Sequence, residues 1–314
     1  IMPPLIFSLK KKIKKLTEER WNVGFIQTQM NDILNGSTIH VNWIKHSYKK
    51  SWFADPFILD ITDNEIILLV EEFYKPSSKG RISKLTIDRK TKSLLKCEVV
   101  LELSTHLSFP YIIRKEDELS LFISDLDSNI NDTVEPFVYM LPENGESGAL
   151  NIYKYFPQSN RISLLGSVLD EGVEDAVPLF YEDQVFLFCT PRKNPNGNIL
   201  HIYKWSPNKK KFVYEQALVF RENVARMSGA FFYDNESLIR PTQECNSQYG
   251  HAVTFQVTDI ANLNFKEIRR LYSVHPKLNI GCHTFNSYRG VIVTDALGFE
   301  RIWIRKILRF LNLI

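Results

Sequence analysis

A hairpin-like pattern of hydrophobic and polar positions recurs five times along the chain. Each copy has an apolar run of strand length, a short polar turn and a second apolar run. The clearest copy joins residues 52–60 to residues 65–73, and in it Asp55 stands directly before Pro56. The pattern therefore predicts a chain built from strand pairs, and four further pairs start near Ser108, Ala176, Ser228 and Cys282.

The spacing of these copies predicts the fold. Subtracting residue numbers between their equivalent points gives intervals of 54, 68, 51 and 54 residues. The points used are Pro56, Pro110, Pro178, Gly229 and His283. A unit of several short strands that recurs at about 40 to 50 residues is typical of a propeller blade. The sequence thus predicts an all-β fold, a single five-bladed β-propeller, and a generic all-β sandwich is the alternative.

The remaining strand-like runs complete this prediction. Residues 37–45 alternate between apolar and polar positions, so we expect them to pair beside the C-terminal strands and close the ring. Residues 21–36 would then be a linker. The run 119–123 is expected to be the second strand of blade two, and the polar stretch 125–133 an inserted surface loop.

Both ends of the chain are basic and amphipathic. Apolar residues at helical spacing predict a short helix at each end, formed by Leu5, Leu9, Ile13 and Leu16 and by Ile304, Ile307, Leu308 and Leu311. Lysines and arginines surround them. Such helices either lie in an anionic lipid headgroup layer or pack on the propeller with their charges exposed. The predicted domains are residues 1–36 (segment and linker), 37–300 (propeller) and 301–314 (helix).

Composition excludes several classes of protein. The net charge of +3 is too small to predict a nucleic-acid partner, and the four cysteines form no CxxC pair, which argues against a zinc knuckle. There is no run of about 18 apolar residues, and the first residues lack the pattern of a signal peptide. We therefore expect a cytoplasmic protein in a reducing compartment, with peripheral contact at the inner face of the membrane.

Candidate chemistry lies where the innermost strands begin. In a propeller these starts lie at the same end of the central channel, so residues about 50 positions apart converge there. These strand starts carry titratable or charged side chains, and the candidates are Asp55, His106, Asp175, Arg226 and His283. The alternatives are a turn role for each aspartate and an ordinary polar strand end for each histidine.

No metal site or cofactor is predicted. The acidic stretch 125–133 lacks the glycine and the terminal glutamate of a twelve-residue calcium loop, and the chain has no GxGxxG or GxxxxGK motif for a nucleotide. Glu71 and Glu72 end the second strand of blade one. Because strand side chains alternate, only one of the two faces the channel, and the sequence leaves open which one.

Six motifs in order resemble a known family over about residues 50–296. The motifs are residues 52–57, 106–110, 139–143, 226–229, 240–250 and 281–284, with Asp295. In these motifs the chain is similar to the propeller domain at the N-terminus of plant glucosamine inositolphosphorylceramide transferases and their bacterial relatives. The resemblance implies a role in surface-polysaccharide or lipid-linked glycan assembly.

The wider shape is similar to the five-bladed arabinanase, xylosidase and levansucrase clan. That similarity implies an aspartate base or nucleophile on blade one, an orienting aspartate on blade three and a glutamate proton donor on blade four. Asp55 and Asp175 match the first two positions. Blade four begins at residues 225–229, which contain no carboxylate.

Because blade four lacks this carboxylate at its start, we favour sugar transfer over hydrolysis as the predicted reaction. Glycoside hydrolysis uses two carboxyl groups, and an arginine cannot donate the missing proton at neutral pH, whereas a guanidinium suits a phosphate leaving group. We therefore predict a glycosyltransferase that uses a phosphate-activated sugar donor and a glycan or lipid-linked acceptor. Asp55 would be the base and Asp175 an orienting carboxylate. Arg226, Arg240 and His283 would face the phosphate.

The remaining candidates would bind sugar hydroxyls. Glu143 or Glu72 is assigned this role, and the predicted substrate-binding set is completed by His106, Gln243 and Asp295. Two alternatives stay open. One is a glycoside hydrolase in which Glu143 or Glu72 replaces the missing donor, and the other is a non-catalytic glycan-binding propeller. The expected partners are a sugar or glycan, a phosphate-activated donor and an anionic membrane, but no nucleic acid.

Overall fold

The computed structural model describes residues 18–127, 135–299 and 302–310. It confirms the predicted fold, because five antiparallel sheets of four strands each form a five-bladed β-propeller. Four blades use strands in sequence order, from the innermost to the outermost. The fifth blade combines strands from both ends of the chain, in the order β19-β20-β1-β2.

The strands of each blade are short, as the interval pattern predicted. Blade one contains β3 (Ser51–Ile61), β4 (Glu65–Tyr74), β5 (Lys79–Asp88) and β6 (Leu94–Leu101). Blade two contains β7 (Ser108–Arg114), β8 (Val138–Glu143), β9 (Leu150–Phe156) and β10 (Arg161–Leu169). Blade three contains β11 (Val173–Tyr181), β12 (Gln184–Pro191), β13 (Ile199–Ser206) and β14 (Lys211–Val219).

Blade four contains β15 (Phe232–Asp234), β16 (Ser237–Glu244), β17 (Ala252–Asp259) and β18 (Asn264–Tyr272). Blade five contains β19 (Phe285–Tyr288), β20 (Val291–Phe299), β1 (Glu19–Ile26) and β2 (Val41–Trp43). The described helices are Met30–Leu34, Ser120–Ile123 and Ile302–Phe310, with a 3-10 turn at Gly145–Ser147.

The strand that closes the ring differs from the prediction. Glu19–Ile26, mostly inside the expected linker, pairs along its whole length with β20. The expected closing strand, residues 37–45, is reduced to Val41–Trp43 and lies one position further out. The physical reason is burial: Trp21, Val23 and Phe25 alternate into the core, which the outer strand does not reach.

Blade two also departs from the prediction. The run 119–123, expected to be its second strand, forms the helix Ser120–Ile123, and β8 pairs with β7 instead. Phe122 and Ile123 of this helix are buried, and Phe122 packs against the rings of Trp205 and Phe212 in blade three. A short continuous apolar run does not by itself distinguish a strand from a buried helix.

The core lies between neighbouring blades. Phe57 of blade one contacts Phe109 of blade two edge to face at 4.9 Å, and Phe255 of blade four contacts Phe285 of blade five at 4.7 Å. Each blade is therefore held to the next by aromatic side chains as well as by apolar strands. The four cysteines are free thiols.

The predicted terminal helices have different outcomes. The C-terminal one is present as Ile302–Phe310. The N-terminal one falls within residues 1–17, which lie outside the described residues, as do residues 128–133 of the predicted inserted loop. Within the described ranges, no helix has the length and apolar character that crossing a bilayer requires.

Candidate functional site

Three innermost strands begin with the same backbone irregularity. β3, β7 and β11 each carry a bulge against their partner strand, and the bulged residues Asp55, Phe109 and Asp175 have φ values of 49°, 43° and 46°. Left-handed backbone is uncommon for residues other than glycine, and bulges redirect side chains. The position equivalent to Pro56 is therefore Ala176, two residues before the predicted Pro178.

Carboxylates hold these bulges together across the blades. Asp295 accepts a hydrogen bond from the Asp55 amide at 3.3 Å, and Asp55 accepts one from the Phe109 amide at 3.1 Å. Glu143 accepts one from the Asp175 amide at 2.9 Å. Because a buried amide needs an acceptor, each carboxylate joins the start of one blade to its predecessor. Asp55 and Asp295 thus have a structural role of their own.

His283 lies between two of these carboxylates. Its Nδ1 is 2.7 Å from Asp295 and its Nε2 is 3.5 Å from Asp55. Burial opposes the charge on the ring, but the two aspartates outweigh it and raise the pKa of His283 to about 9. The ring stacks on Trp21 with 4.1 Å between centroids. At neutral pH this histidine is therefore a buried imidazolium.

Arg226 lies at the centre of a second cluster. Its Nε donates to Asp175 at 2.6 Å and its Nη2 donates to Glu143 at 3.2 Å, while Glu174 lies 3.7 Å from Nη2. Its Nη1 donates to Asn196. One guanidinium thus serves three buried carboxyl groups, and its donors are engaged.

The excess of carboxyl groups keeps a proton in this cluster. Burial raises the pKa of Glu143 to about 7, and the neighbouring charge of Glu174 adds to the effect. Burial likewise raises the pKa of Asp175 to about 7, although the charge of Arg226 opposes the rise. The two groups interact, so at neutral pH they share protons as a pair. The cluster therefore contains a proton donor, which the sequence of blade four lacks.

Tyr249 connects the two clusters. Its ring lies 5.2 Å from that of His283, and the Arg226 guanidinium lies 5.0 Å above its centroid. Asp55 and Asp175 lie directly behind these two residues, so the four predicted side chains do converge at one place. The geometry confirms that they converge, and their roles in catalysis stay a prediction.

A cavity of about 240 Å³ opens in front of these clusters. Its aromatic walls are Trp21, Trp52, Phe73 and Tyr249. Its polar walls are Glu19, Glu71, His106, Ser108, Glu143, Arg226 and His283. The volume is below the 300–1,000 Å³ typical of sites for drug-sized ligands, so it suits one sugar ring.

The structure decides between the two adjacent glutamates of blade one. Glu71 lines the cavity, and its Oε1 lies 3.1 Å from Nε2 of His106. The Nδ1 of the same histidine accepts a hydrogen bond from the Gly80 amide. Glu72 points away from the cavity. Hydrogen bonds from Arg81, Ser51 and Ser83 outweigh burial and lower the pKa of Glu72. The assignment of Glu72 to substrate binding is wrong, because its oxygens are occupied inside the blade.

We predict that Glu72→Gln lowers stability without weakening ligand binding. The change removes a buried carboxylate that accepts hydrogen bonds from Arg81, and it should lower the free energy of unfolding by about 1–3 kcal/mol. Because the folded pKa is depressed, this difference should shrink as pH falls below the ordinary value of 4.5. Urea unfolding at two pH values measures it, and Glu71→Gln is the matched variant that should disturb the cavity instead.

Arg240 is a core residue rather than a phosphate-facing one. It is fully buried, donates to Gln256 at 2.8 Å and to the Ala225 carbonyl, and lies between the rings of Phe220 and Phe265. Burial lowers its pKa to about 9. The prediction of a phosphate contact is therefore wrong, because the side chain does not reach the cavity.

Two other predicted substrate-binding residues act behind the cavity wall. Gln243 donates to Asp175 at 2.6 Å and to the Met227 carbonyl, so it positions that carboxyl group. Asp295 positions the ring of His283 and accepts a hydrogen bond from the His283 backbone amide. Neither lines the cavity. His106, Glu143, Arg226 and His283 do line it, as predicted.

Several cavity residues escaped the sequence analysis. Trp21 lies in the stretch that was interpreted as a linker, and Trp52, Phe73 and Tyr249 were read only as strand or motif residues. The alternation of Trp21, Val23 and Phe25 is a strand signal that could have placed the first of them. The others carry no local signal for a cavity.

One group of side chains could share a cation. Within the described residues, Asp55, His283 and Asp295 present ligand atoms within 4.8 Å of one another. The two ring nitrogens of His283 each face a carboxylate, which is the arrangement of a protonated histidine. A metal ion would have to displace those protons, so the donor set fits an ion triad better than a metal site.

Comparison with known proteins gives one family match. The family described as "Glucosamine inositolphosphorylceramide transferase 1, N-terminal" matches residues 19–295. The Arabidopsis thaliana protein of that name is 26% identical over 254 residues, covering 77% of this chain and 29% of the relative. The Oryza sativa subsp. indica protein is 22% identical over 232 residues, covering 70% and 28%. The chain thus spans less than a third of these curated relatives.

Solved structures share the fold. An exo-β-1,3-galactanase from Phanerochaete chrysosporium superimposes with a TM-score of 0.50 at 7% identity, covering 77% of this chain and 55% of that one. A β-xylosidase/α-arabinofuranosidase from a compost metagenome gives 0.51 at 9% identity, covering 82% and 93%. At these identities the likeness establishes the propeller architecture alone.

Proposed function

We propose, from the premise that the chain belongs to the glucosamine inositolphosphorylceramide transferase 1 N-terminal family, that it is a carbohydrate-active propeller of glycolipid or surface-glycan biosynthesis. Membership confirms the resemblance drawn from the sequence motifs. The proposed activity is transfer of one sugar residue, bound in the cavity, to a glycan or lipid-linked acceptor. The observation that carries the proposal is Glu143, with its pKa raised to about 7, in the polar wall of a cavity whose other wall is aromatic.

Glu143 is the proposed general acid. Its pKa of about 7 keeps the protonated form populated at neutral pH, and a donor with that pKa protonates a leaving oxygen efficiently. Ser108 and Arg226 fix the carboxyl group from two sides. The aromatic walls would bind the apolar faces of a sugar ring, and the polar walls its hydroxyl groups.

Glu71 is the proposed base that activates the acceptor hydroxyl. It lines the cavity, and burial raises its pKa, which makes the carboxylate a stronger base. Asp55, the residue predicted for this role, does not line the cavity and accepts hydrogen bonds from Thr284 and Phe109. We therefore assign Asp55 to positioning His283 and the blade starts.

The phosphate-activated donor is not retained in this proposal. Arg240 lies in the core, and Arg226 is surrounded by three carboxyl groups, so the surroundings of this guanidinium are net acidic. This local excess of carboxyl groups around Arg226 disfavours a phosphate at that guanidinium. A glycoside donor, whose leaving oxygen takes a proton from Glu143, fits these charges better.

Hydrolysis is the second candidate function, because Glu143 supplies the donor that a glycoside hydrolase requires. The two activities are separated with aryl glycosides, starting with glucosaminide and N-acetylglucosaminide because the relatives' name contains glucosamine. Transfer predicts a glycosylated inositolphosphorylceramide in detergent micelles and little free sugar without that acceptor. Hydrolysis predicts free sugar without any acceptor. Saturable sugar binding with no turnover of any donor would contradict both.

The pH dependence of turnover is a further prediction. Because the acid must hold its proton, the rate should fall as pH rises through about 7, the pKa of Glu143. Glu174→Gln removes a charge that raises this pKa, so it should move the falling limb to lower pH without abolishing activity. A pH–rate profile of both proteins measures the shift. An unchanged limb would contradict the assignment of Glu143.

A further inference from the structure

Among the residues that the structure describes, the helix Ile302–Phe310 presents an exposed apolar face. Trp303, Ile307 and Phe310 are 63%, 51% and 87% exposed. Their spacing of four and three residues places them on one side of the helix. Three large apolar side chains in one exposed stripe are unusual on a protein surface and mark a site of contact.

The charged residues in the sequence of this C-terminal segment are all basic. Residues 301–314 contain four basic residues and no aspartate or glutamate. Lys306 is exposed, and the Arg305 guanidinium lies 3.6 Å above the ring of Phe299, at the end of β20. An apolar stripe that contains a tryptophan, on a helix whose own charged residues are basic, is complementary to an anionic lipid surface.

The stripe lies at the end of blade five where the cavity opens. Glu19, the first residue of β1, pairs with Phe299, the last residue of β20, and Glu19 and Trp21 line the cavity. The sequence that leads into β1 has five lysines in residues 10–15 and no acidic residue in residues 1–17. Both basic segments of the sequence therefore join the propeller at this one corner.

We propose that the face formed by Trp303, Ile307 and Phe310 docks the propeller on an anionic bilayer, next to the cavity mouth. Docking there holds a sugar that is carried by a lipid headgroup close to Glu143. The orientation deepens the proposed function and rests on it, because it names a membrane-borne sugar as the substrate. The docking itself depends only on the exposed face of this helix and not on the proposed activity.

Vesicle co-sedimentation of the full chain tests the docking. We expect binding to phosphatidylcholine vesicles that contain phosphatidylserine, weaker binding to phosphatidylcholine alone, and weakening by salt. The double variant Trp303→Ser/Phe310→Ser should bind about tenfold more weakly or worse, since it removes two buried side chains from the interface. Lys306→Glu should reduce the preference for the anionic lipid.

Tyr233→Ser provides the matched control, because Tyr233 is 68% exposed at the turn end of β15 in blade four. It should bind like the unaltered chain. Binding that is equally strong in the double variant, or absent in the unaltered chain, would overturn the proposal. Self-association that depends on the stripe would overturn it too, by assigning the face to a second copy. None of these outcomes involves turnover, so a failure here is distinct from a failure of the proposed function.

Discussion

Glu143→Gln should reduce turnover of glycosides with poor leaving groups by about 10²- to 10⁴-fold, the usual contribution of a positioned general acid. Glutamine keeps the size of the side chain and one oxygen for the Asp175 amide, but it cannot deliver a proton. The fold should survive because the change also removes a like charge from the Arg226 cluster. Steady-state rates on alkyl or disaccharide donors measure the loss.

The leaving group separates a catalytic from a structural effect. A dinitrophenyl leaving group departs without protonation, so the variant should retain most of its activity on dinitrophenyl glycosides. Glu174→Gln removes the same charge from Arg226 without touching the cavity, and it should lose less than about tenfold on either donor. Equal losses of the Glu143 variant on both donors would contradict the assignment.

Arg226→Met should be the most destabilising single change in the site. It leaves Glu143, Glu174 and Asp175 buried without their cation, and breaking a buried ion pair from one side costs about 3–5 kcal/mol. The carboxyl groups then ionise less readily in the folded state. The folded pKa values of Glu143 and Asp175, already raised to about 7, should rise further, so the deficit should grow as pH rises from about 6 to 8.

Chemical unfolding of both proteins at several pH values measures that deficit. Arg240→Met is the matched control, since it removes an equally buried guanidinium that has no carboxylate partner among its hydrogen bonds. The pKa of Arg240, about 9, lies above the range tested, so its loss should cost the same at every pH. A flat deficit for the Arg226 variant would mean that the three carboxyl groups do not depend on that cation.

The sequence predicted which side chains meet in this site, but not the role of each. The convergence of Asp55, Asp175, Arg226 and His283 was predicted, because all four stand at strand starts of one repeating unit. The roles of Arg226 and Arg240 were not distinguishable in the sequence. Both follow the same blade-four pattern, yet one faces three carboxyl groups and the other is enclosed by aromatic rings.

The sequence also could not show which of Glu71 and Glu72 faces the channel. Alternation showed that only one of Glu71 and Glu72 faces the channel, but the absolute register depends on the bulge at Asp55, which shifts the pairing of β3 with β4. A bulge is fixed by contacts across blades, here by the carboxylate of Asp295 on the Asp55 amide. No local pattern encodes that contact.

By itself, the sequence determined the fold and the end of the channel at which chemistry could occur. Hydrophobic alternation and a repeat of about 50 residues are local properties, and strand burial enforces them. Only the tertiary structure decided which charges meet. Asp55 and Asp295 are 240 residues apart in the chain but hydrogen-bonded in the fold. The pKa of Glu143 is raised because the fold buries this carboxyl group and places the charge of Glu174 beside it.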